Sequence, residues 1–124
     1  MKDSAEVIWD RAEESLRGVE AMVQADPSGA VSRSYYVAFY AASAVFAREK
    51  RWFTKHTQLR AAVHRDLVHT GRWTEEIGRC FDRLLEWRGT SDYDFGNRYT
   101  EEEAQEAIQR ARTVMAAAAA LLAE

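Results

Sequence analysis

The stretch that decides the fold is DPSGAVSRSYYVAFYAASAV, residues 26–45. Asp26 followed by Pro27 is typical of an N-cap and a first helical position, where the missing proline N–H would be unpaired in any case. The helix is predicted to extend to about Lys50, and its small buried residues let neighbouring helices approach closely. The residues expected on its buried face are Ala30, Val31, Ala38, Ala41, Ala42 and Val45. The pattern therefore predicts a central helix packed by others.

Helical periodicity continues on both sides of this stretch, and no segment shows the period-two alternation of a strand. Asp3 and Glu6 are spaced to cap a first helix that ends near Ala25. A third helix is expected from a Thr57 cap to Gly71, with an apolar stripe along one face.

The second half of the chain predicts two more helices and a loop between them. The fourth helix opens near Thr74 and is weakened at Gly89, and residues 90–99 lack helical periodicity. Long ordered loops of this kind are often functional. Thr100 and Glu103 form a capping-box pattern for the last helix. The fold class predicted is all-α, an up-and-down bundle of about five helices in a single domain, residues 1–124.

Composition excludes several classes of protein. A chain of 124 residues with 47% apolar residues can bury its own core. Its one cysteine, Cys80, excludes an intramolecular disulfide framework and suits a reducing compartment, so a cytoplasmic location is expected. The longest apolar run, residues 114–123, is shorter than the roughly 18–20 residues of a membrane span.

Charge is unevenly distributed along the chain. The formal net charge is −3, yet residues 48–79 contain eight Lys or Arg and four Asp or Glu. A basic segment in an acidic protein can indicate a local anionic partner such as RNA, although a charge cluster on a helical surface is more often a solvated face.

The sequence predicts no metal site and no cofactor. His56, His64 and His69 lie eight and five residues apart, so no two of them share a helical face as metal ligands do. Phosphate-binding glycine loops, nucleophile elbows and dinucleotide fingerprints are absent from the sequence.

Two clusters of residues remain as candidate sites. Arg33, Tyr36 and Tyr40 fall on one helical face, either as a ligand-binding surface or as tyrosines half in the core. Arg88 precedes Asp92 where the fourth helix is expected to end. Arg88 could clamp a phosphate with its fork of donors, or the two residues could form a structural pair that closes the helix.

Four motifs in order resemble a known family. The sequence from about residue 27 to 115 resembles a HEPN domain, and especially its small stand-alone members. The motifs are SRSYYVAFYAA (32–42), Lys55-His56-Thr57, Arg88-x-x-x-Asp92-Tyr93 and the Thr-x-Glu-Glu-Ala start of the last helix (100–104).

The resemblance implies an all-α homodimer and a metal-independent endoribonuclease of toxin–antitoxin, defence or RNA-processing systems, often paired with a nucleotidyltransferase-type antitoxin. The family motif is an Arg, four to six residues and a His. The His would activate a ribose 2′-hydroxyl or protonate the leaving oxygen, and the Arg would neutralise phosphate charge. Here the positions for that His hold Tyr93, Asp94 and Phe95. Phe95 also lacks the hydroxyl that a partner nucleotidyltransferase modifies with AMP in some relatives.

Three hypotheses follow for function. The first is an RNA-binding or RNA-cleaving toxin-like domain without a metal. Its expected catalytic residues are Arg88, Asp92 and Tyr93, and its expected RNA- or nucleotide-binding residues are Arg33, Tyr36, Tyr40, Arg60, Arg65 and Arg72. The alternative is a non-catalytic interaction or nucleotide-binding module that partners a nucleotidyltransferase, and the third is a structural dimerising bundle. A dimer is also expected from the number of large aromatic residues, which are Tyr35, Phe39, Trp52, Phe53, Trp73 and Trp87.

Overall fold

The computed structural model describes residues 2–93 and 98–124, with side chains described for 2–89 and 98–124. The elements are α1 (Ser4–Met22), α2 (Pro27–Ala47), α3 (His56–Ala62), a π-helix (Val63–Val68), α4 (Glu75–Tyr93) and α5 (Glu101–Leu122). The described ranges contain no strand, and the predicted all-α bundle of about five helices is confirmed.

Helix α2 is the central element of the bundle, as its small residues predict. The Asp26 carboxylate accepts the Gly29 N–H at 2.9 Å, and Pro27 occupies the first helical position. Twelve of the 21 residues of α2 are buried, and the helix packs against α1, α4 and α5. It ends at Ala47, earlier than expected, because the chain turns through a left-handed conformation at Lys50 with φ 62°.

Side-chain caps fix the starts of α1 and α5. The Asp3 carboxylate accepts the Glu6 N–H at 2.9 Å, although α1 ends at Met22, before the expected Ala25. Thr100 accepts the Glu103 N–H at 3.1 Å while the Glu103 carboxylate accepts the Thr100 N–H at 3.0 Å. The predicted capping box of the last helix is therefore confirmed.

The third helix differs from the expectation in its start and in its pitch. It begins at His56 after Lys55, where no cap from a side chain is found, and not at a Thr57 cap. After Ala62 the α-helix gives way to the π-helix, in which the His69 N–H donates to the His64 carbonyl five residues earlier at 2.9 Å. The left-handed Gly71, with φ 81°, then closes the segment as predicted.

Helix α4 runs through Gly89 to Tyr93. The loop was expected to begin at residue 90, and this boundary is wrong because residues 90–93 are helical. An interior glycine costs about 1 kcal/mol against alanine. The burial of Leu84 and Trp87 against the core outweighs it. Residues 94–97 of the expected loop, which include Asp94 and Phe95, lie outside the described residues.

Most of the aromatic side chains that suggested an interface lie in the core of the single chain. Tyr35, Trp73 and Trp87 are buried, while Phe39 and Phe53 pack against the core. Trp52 is 59% exposed. The excess of apolar surface is therefore smaller than the composition suggested.

Candidate functional site

The candidate site lies where α4 meets the α2 face that carries Tyr36. The Arg88 Nε–H donates to the Tyr36 hydroxyl at 3.2 Å, and the guanidinium carbon lies 5.6 Å from the Tyr36 ring centroid. Both side chains are half-buried. An arginine held over an aromatic face keeps its charge and is fixed in orientation. This arrangement is suited to meeting an anion.

Aromatic rings and His56 surround this contact. His56 opens α3, and its ring centroid lies 5.9 Å from that of Tyr36 and 5.4 Å from that of Phe39. The His56 Nδ1 lies 3.0 Å from the hydroxyl of Tyr35, which is fully buried. The half-buried imidazole is thus fixed at Nδ1 and packed at its faces and edges.

The charge of Arg88 acts on two titratable groups of the cluster. Burial raises the pKa of the Tyr35 phenol above its ordinary value, and Arg88 opposes part of that rise. Burial lowers the pKa of the His56 imidazole, and Arg88 lowers it further. At neutral pH the cluster therefore contains a neutral phenol, a neutral imidazole and a permanent cation.

A cavity of about 730 Å³ adjoins Tyr36 on the side of α1. Its lining includes Arg11 and Glu14 of α1 with Arg33, Tyr36 and Tyr40 of α2. The three α2 residues predicted to share a face are thus brought together here. Tyr36 belongs both to this cavity and to the Arg88 contact, so the two features are continuous.

Three further basic residues of the predicted site lie in α3, in the π-helix and just before α4; the lining residues recorded for the cavity do not include them, and each is paired with an acid. Arg60 binds Asp82 through Nε at 2.7 Å and Nη2 at 3.3 Å. Arg65 forms two hydrogen bonds to Asp66, at 3.0 and 2.9 Å. Arg72 lies 3.4 Å from a Glu49 oxygen. Each of the three therefore has a carboxylate nearby, and Asp66 is shared with Arg51; their roles in binding RNA stay predictions.

Asp92 and Tyr93 belong to the last turn of α4, five residues or fewer beyond Arg88. Their side chains lie outside the described residues. Their roles as catalytic residues stay predictions.

His56 is the residue of this cluster that the sequence-based site omitted. Its signal in the sequence is the Lys55-His56-Thr57 motif of the resemblance, in which His56 directly precedes the expected Thr57 cap of the third helix. Arg11 of the cavity had no sequence signal, because a single exposed arginine on an amphipathic helix is common.

Neither a metal cluster nor a membrane span is found among the described residues. No group of three or more His, Cys, Asp or Glu in these ranges could hold a metal ion. None of the helices that the structure describes is long and apolar enough to cross a membrane.

The fold and the site define an all-α bundle with an arginine held at an aromatic cleft. The chain belongs to the HEPN domain family, which it matches over residues 5–121, and the resemblance seen in the sequence is confirmed. A "UPF0332 protein" of Thermotoga maritima is 33% identical over 102 residues, which are 82% of this chain and 77% of that protein. The crystal structure of TT1696 from Thermus thermophilus has the same fold, with a TM-score of 0.81 and 17% identity over 97% of this chain and 99% of that one.

Proposed function

We propose that this HEPN protein is an RNA-binding, toxin-like component of a toxin–antitoxin or defence system that cleaves RNA without a metal. The observation that carries the proposal is the Arg88 guanidinium, which is held at the Tyr36 hydroxyl and ring in a half-buried position. Arginine recognises a phosphate through paired N–H donors and cannot lose its charge at neutral pH. Arg88 is the residue of the family motif that contacts the scissile phosphate in this proposal.

The neighbouring groups suit a single-stranded RNA at the same cleft. Tyr36, Tyr40 and Arg33 line the adjoining cavity, where aromatic faces can stack with bases and a cation can meet the next phosphate. We carry Asp92 and Tyr93, which follow Arg88 in the last turn of α4, into this proposal as its further catalytic residues. We further propose that two copies of the chain work as a homodimer, and that a nucleotidyltransferase serves as antitoxin.

RNA binding by matched arginine variants tests this proposal. Arg88→Ala is expected to weaken binding of a fluorescent single-stranded RNA about 10- to 100-fold, since a charge-assisted hydrogen bond contributes roughly 1.5–3 kcal/mol. Arg83→Ala is the control, because Arg83 also lies in α4 over an aromatic ring, 4.8 Å from the Trp87 centroid. It should bind RNA within about twofold of the wild type.

Salt dependence gives a second measurement on the same proteins. Each phosphate contact releases counterions, so the logarithm of affinity should fall by roughly 0.7 per contact for each tenfold increase in salt. The slope should be smaller for Arg88→Ala than for Arg83→Ala. Equal affinities and equal slopes for the two variants would refute Arg88 as the phosphate contact.

A second candidate function is a nucleotide-binding module that partners a nucleotidyltransferase. The cavity favours it, because about 730 Å³ falls within the roughly 300–1,000 Å³ range of small-molecule sites, and Arg11 and Arg33 supply positive charge beside two tyrosines. Calorimetry with ATP and AMP on the wild type and Arg33→Ala tests it. Nucleotide binding that depends on Arg33, without RNA binding, would favour this second function.

A further inference from the structure

The position of His56 beside Arg88 addresses the histidine that the family motif lacks in this chain. Both side chains contact the same ring: the His56 centroid lies 5.9 Å and the Arg88 guanidinium carbon 5.6 Å from the Tyr36 centroid. They come from different helices, α3 and α4, and are 32 positions apart in sequence. No spacing rule within one helix could have found the pair.

We propose that His56 is the general base of this site, supplied by α3 in place of the histidine that the motif would place after Arg88. The inference rests on the proposed function, because it needs an RNA phosphodiester bound at Arg88. It deepens that function by naming the group that accepts the proton.

The geometry leaves one nitrogen of His56 for this task. Its Nδ1 is hydrogen-bonded to the Tyr35 hydroxyl, at a distance of 3.0 Å. Because Tyr35 is fully buried, this end of the ring points into the core. The proposed role requires the tautomer with hydrogen on Nδ1, which donates it to the Tyr35 oxygen and leaves the Nε2 lone pair as an acceptor. Tyr35 is in this arrangement a positioning residue.

The reaction is a transesterification within the RNA. The ribose 2′-oxygen forms a bond to phosphorus while His56 Nε2 accepts its proton, and the bond from phosphorus to the 5′-oxygen breaks. The leaving 5′-oxygen takes a proton from water, and the imidazolium returns its proton to solvent. The products are a 2′,3′-cyclic phosphate and a 5′-hydroxyl end, and no oxidant, reductant or metal is consumed. Arg88 stabilises the negative charge that develops on the phosphate oxygens.

The electrostatics of the cluster are those that a base requires. Among the described residues, the titratable and charged groups recorded around His56 are Tyr35 and Tyr36 of α2, which contact its ring, and Arg88 of α4, which acts on its charge. Burial, followed by the charge of Arg88, lowers the pKa of His56 below its ordinary value of about 6.5. The imidazole is therefore neutral at pH 7, and cleavage should decline as the pH falls through this lowered pKa.

Two RNAs separate binding from cleavage in the experiment that tests His56. A labelled single-stranded RNA of mixed sequence measures cleavage in the presence of EDTA, and its 2′-O-methyl counterpart, which cannot be cleaved, measures binding. The principal variant is His56→Asn, whose amide can keep a hydrogen bond to Tyr35 but cannot titrate, with His56→Gln as a second. His69→Gln is the control, because His69 is an exposed residue just after the π-helix.

Both His56 variants are expected to bind the 2′-O-methyl RNA within about twofold of the wild type and to cleave about 100-fold or more slowly. His69→Gln should cleave at the wild-type rate. Tyr35→Phe should keep cleavage but shift the lower limb of its pH–rate profile, which a purely structural loss would not do.

Three results would overturn the inference. Cleavage by His56→Asn or His56→Gln at the wild-type rate, with the wild-type pH profile, refutes His56 and leaves the proposed function standing. Binding without cleavage by the wild type refutes the base while leaving RNA binding. If neither the wild type nor any variant binds the RNA, the proposed function itself is refuted, and the inference with it.

Discussion

Two glycines inside helices should respond differently to the same substitution. Gly18 lies in α1, and a Cβ placed there would meet no atom within 4 Å. Gly78 lies in α4, where a Cβ would lie 3.0 Å from Val68 Cγ2 and 3.1 Å from His64 Cε1. Carbon atoms pack best at about 3.5–4.0 Å, so the methyl group at position 78 is too close to both neighbours.

The magnitudes follow from propensity and packing. Gly18→Ala should stabilise the protein by about 0.5–1 kcal/mol, because alanine loses less backbone entropy in a helix. Gly78→Ala has the same gain but incurs overpacking of roughly 1–3 kcal/mol, which leaves it neutral to about 2 kcal/mol less stable. His64 cannot easily move aside, because its Nε2 lies 2.8 Å from the Asp82 carboxylate.

Thermal and urea unfolding measure the difference. For 124 residues the unfolding entropy is about 0.26 kcal/mol/K, so 1 kcal/mol corresponds to roughly 4 °C in Tm. Gly18→Ala should melt about 2–4 °C higher than the wild type, and Gly78→Ala up to about 8 °C lower. Repeating Gly78→Ala in a Val68→Ala background should reduce its effect, since one of the two close atoms is gone. A Gly78→Ala protein stabilised as much as Gly18→Ala would refute the close approach of α4 to the π-helix.

Three further predictions concern the surface of the bundle. Hydrogen bonds from Arg65 and then Arg51 lower the pKa of Asp66 to about 2, so this carboxylate stabilises the fold above its unfolded pKa near 4. The stability advantage of the wild type over Asp66→Asn should therefore shrink as pH falls from 5 towards 2 in acid unfolding curves. Arg48 donates to the carbonyls of Leu121, Leu122 and Glu124, so Arg48→Ala should destabilise the protein by about 1–3 kcal/mol and speed amide exchange in the last turn of α5. The exposed Trp52 should lie in the dimer interface, so light scattering should give a dimer mass for the wild type and a lower mass for Trp52→Ser; a wild-type monomer at micromolar concentration would contradict it.

Local chemistry explains why the helix starts were predictable and the third helix was not. Asp26, Thr100 and Asp3 each cap their helix through the N–H of a residue three positions later, so the information lies in a few adjacent residues. The π-helix has no such signature. Its residues His64 and Val68 lie where a Cβ at Gly78 of α4 would meet them, and periodicity within 63–68 cannot report such tertiary packing. Thr57 has a residue type suited to a cap, yet the helix begins one position before it.

The distinction between local signals and tertiary contacts also separates the site residues that the sequence predicted from those that it did not. Arg33, Tyr36 and Tyr40 lie on one helix at spacings of three and four, so the sequence could place them on one face, and the cavity contains all three. The pairing of Arg60 with Asp82 joins α3 to α4, and that of Arg72 with Glu49 links two segments outside the helices; neither could be found from spacing. The sequence showed His56 as part of the Lys55-His56-Thr57 motif. Its proximity to Arg88 could not be predicted, because it depends on how α3 packs beside α2. A motif search that requires the histidine to follow the arginine therefore cannot detect this arrangement, because a bundle can bring the same two groups together from different helices.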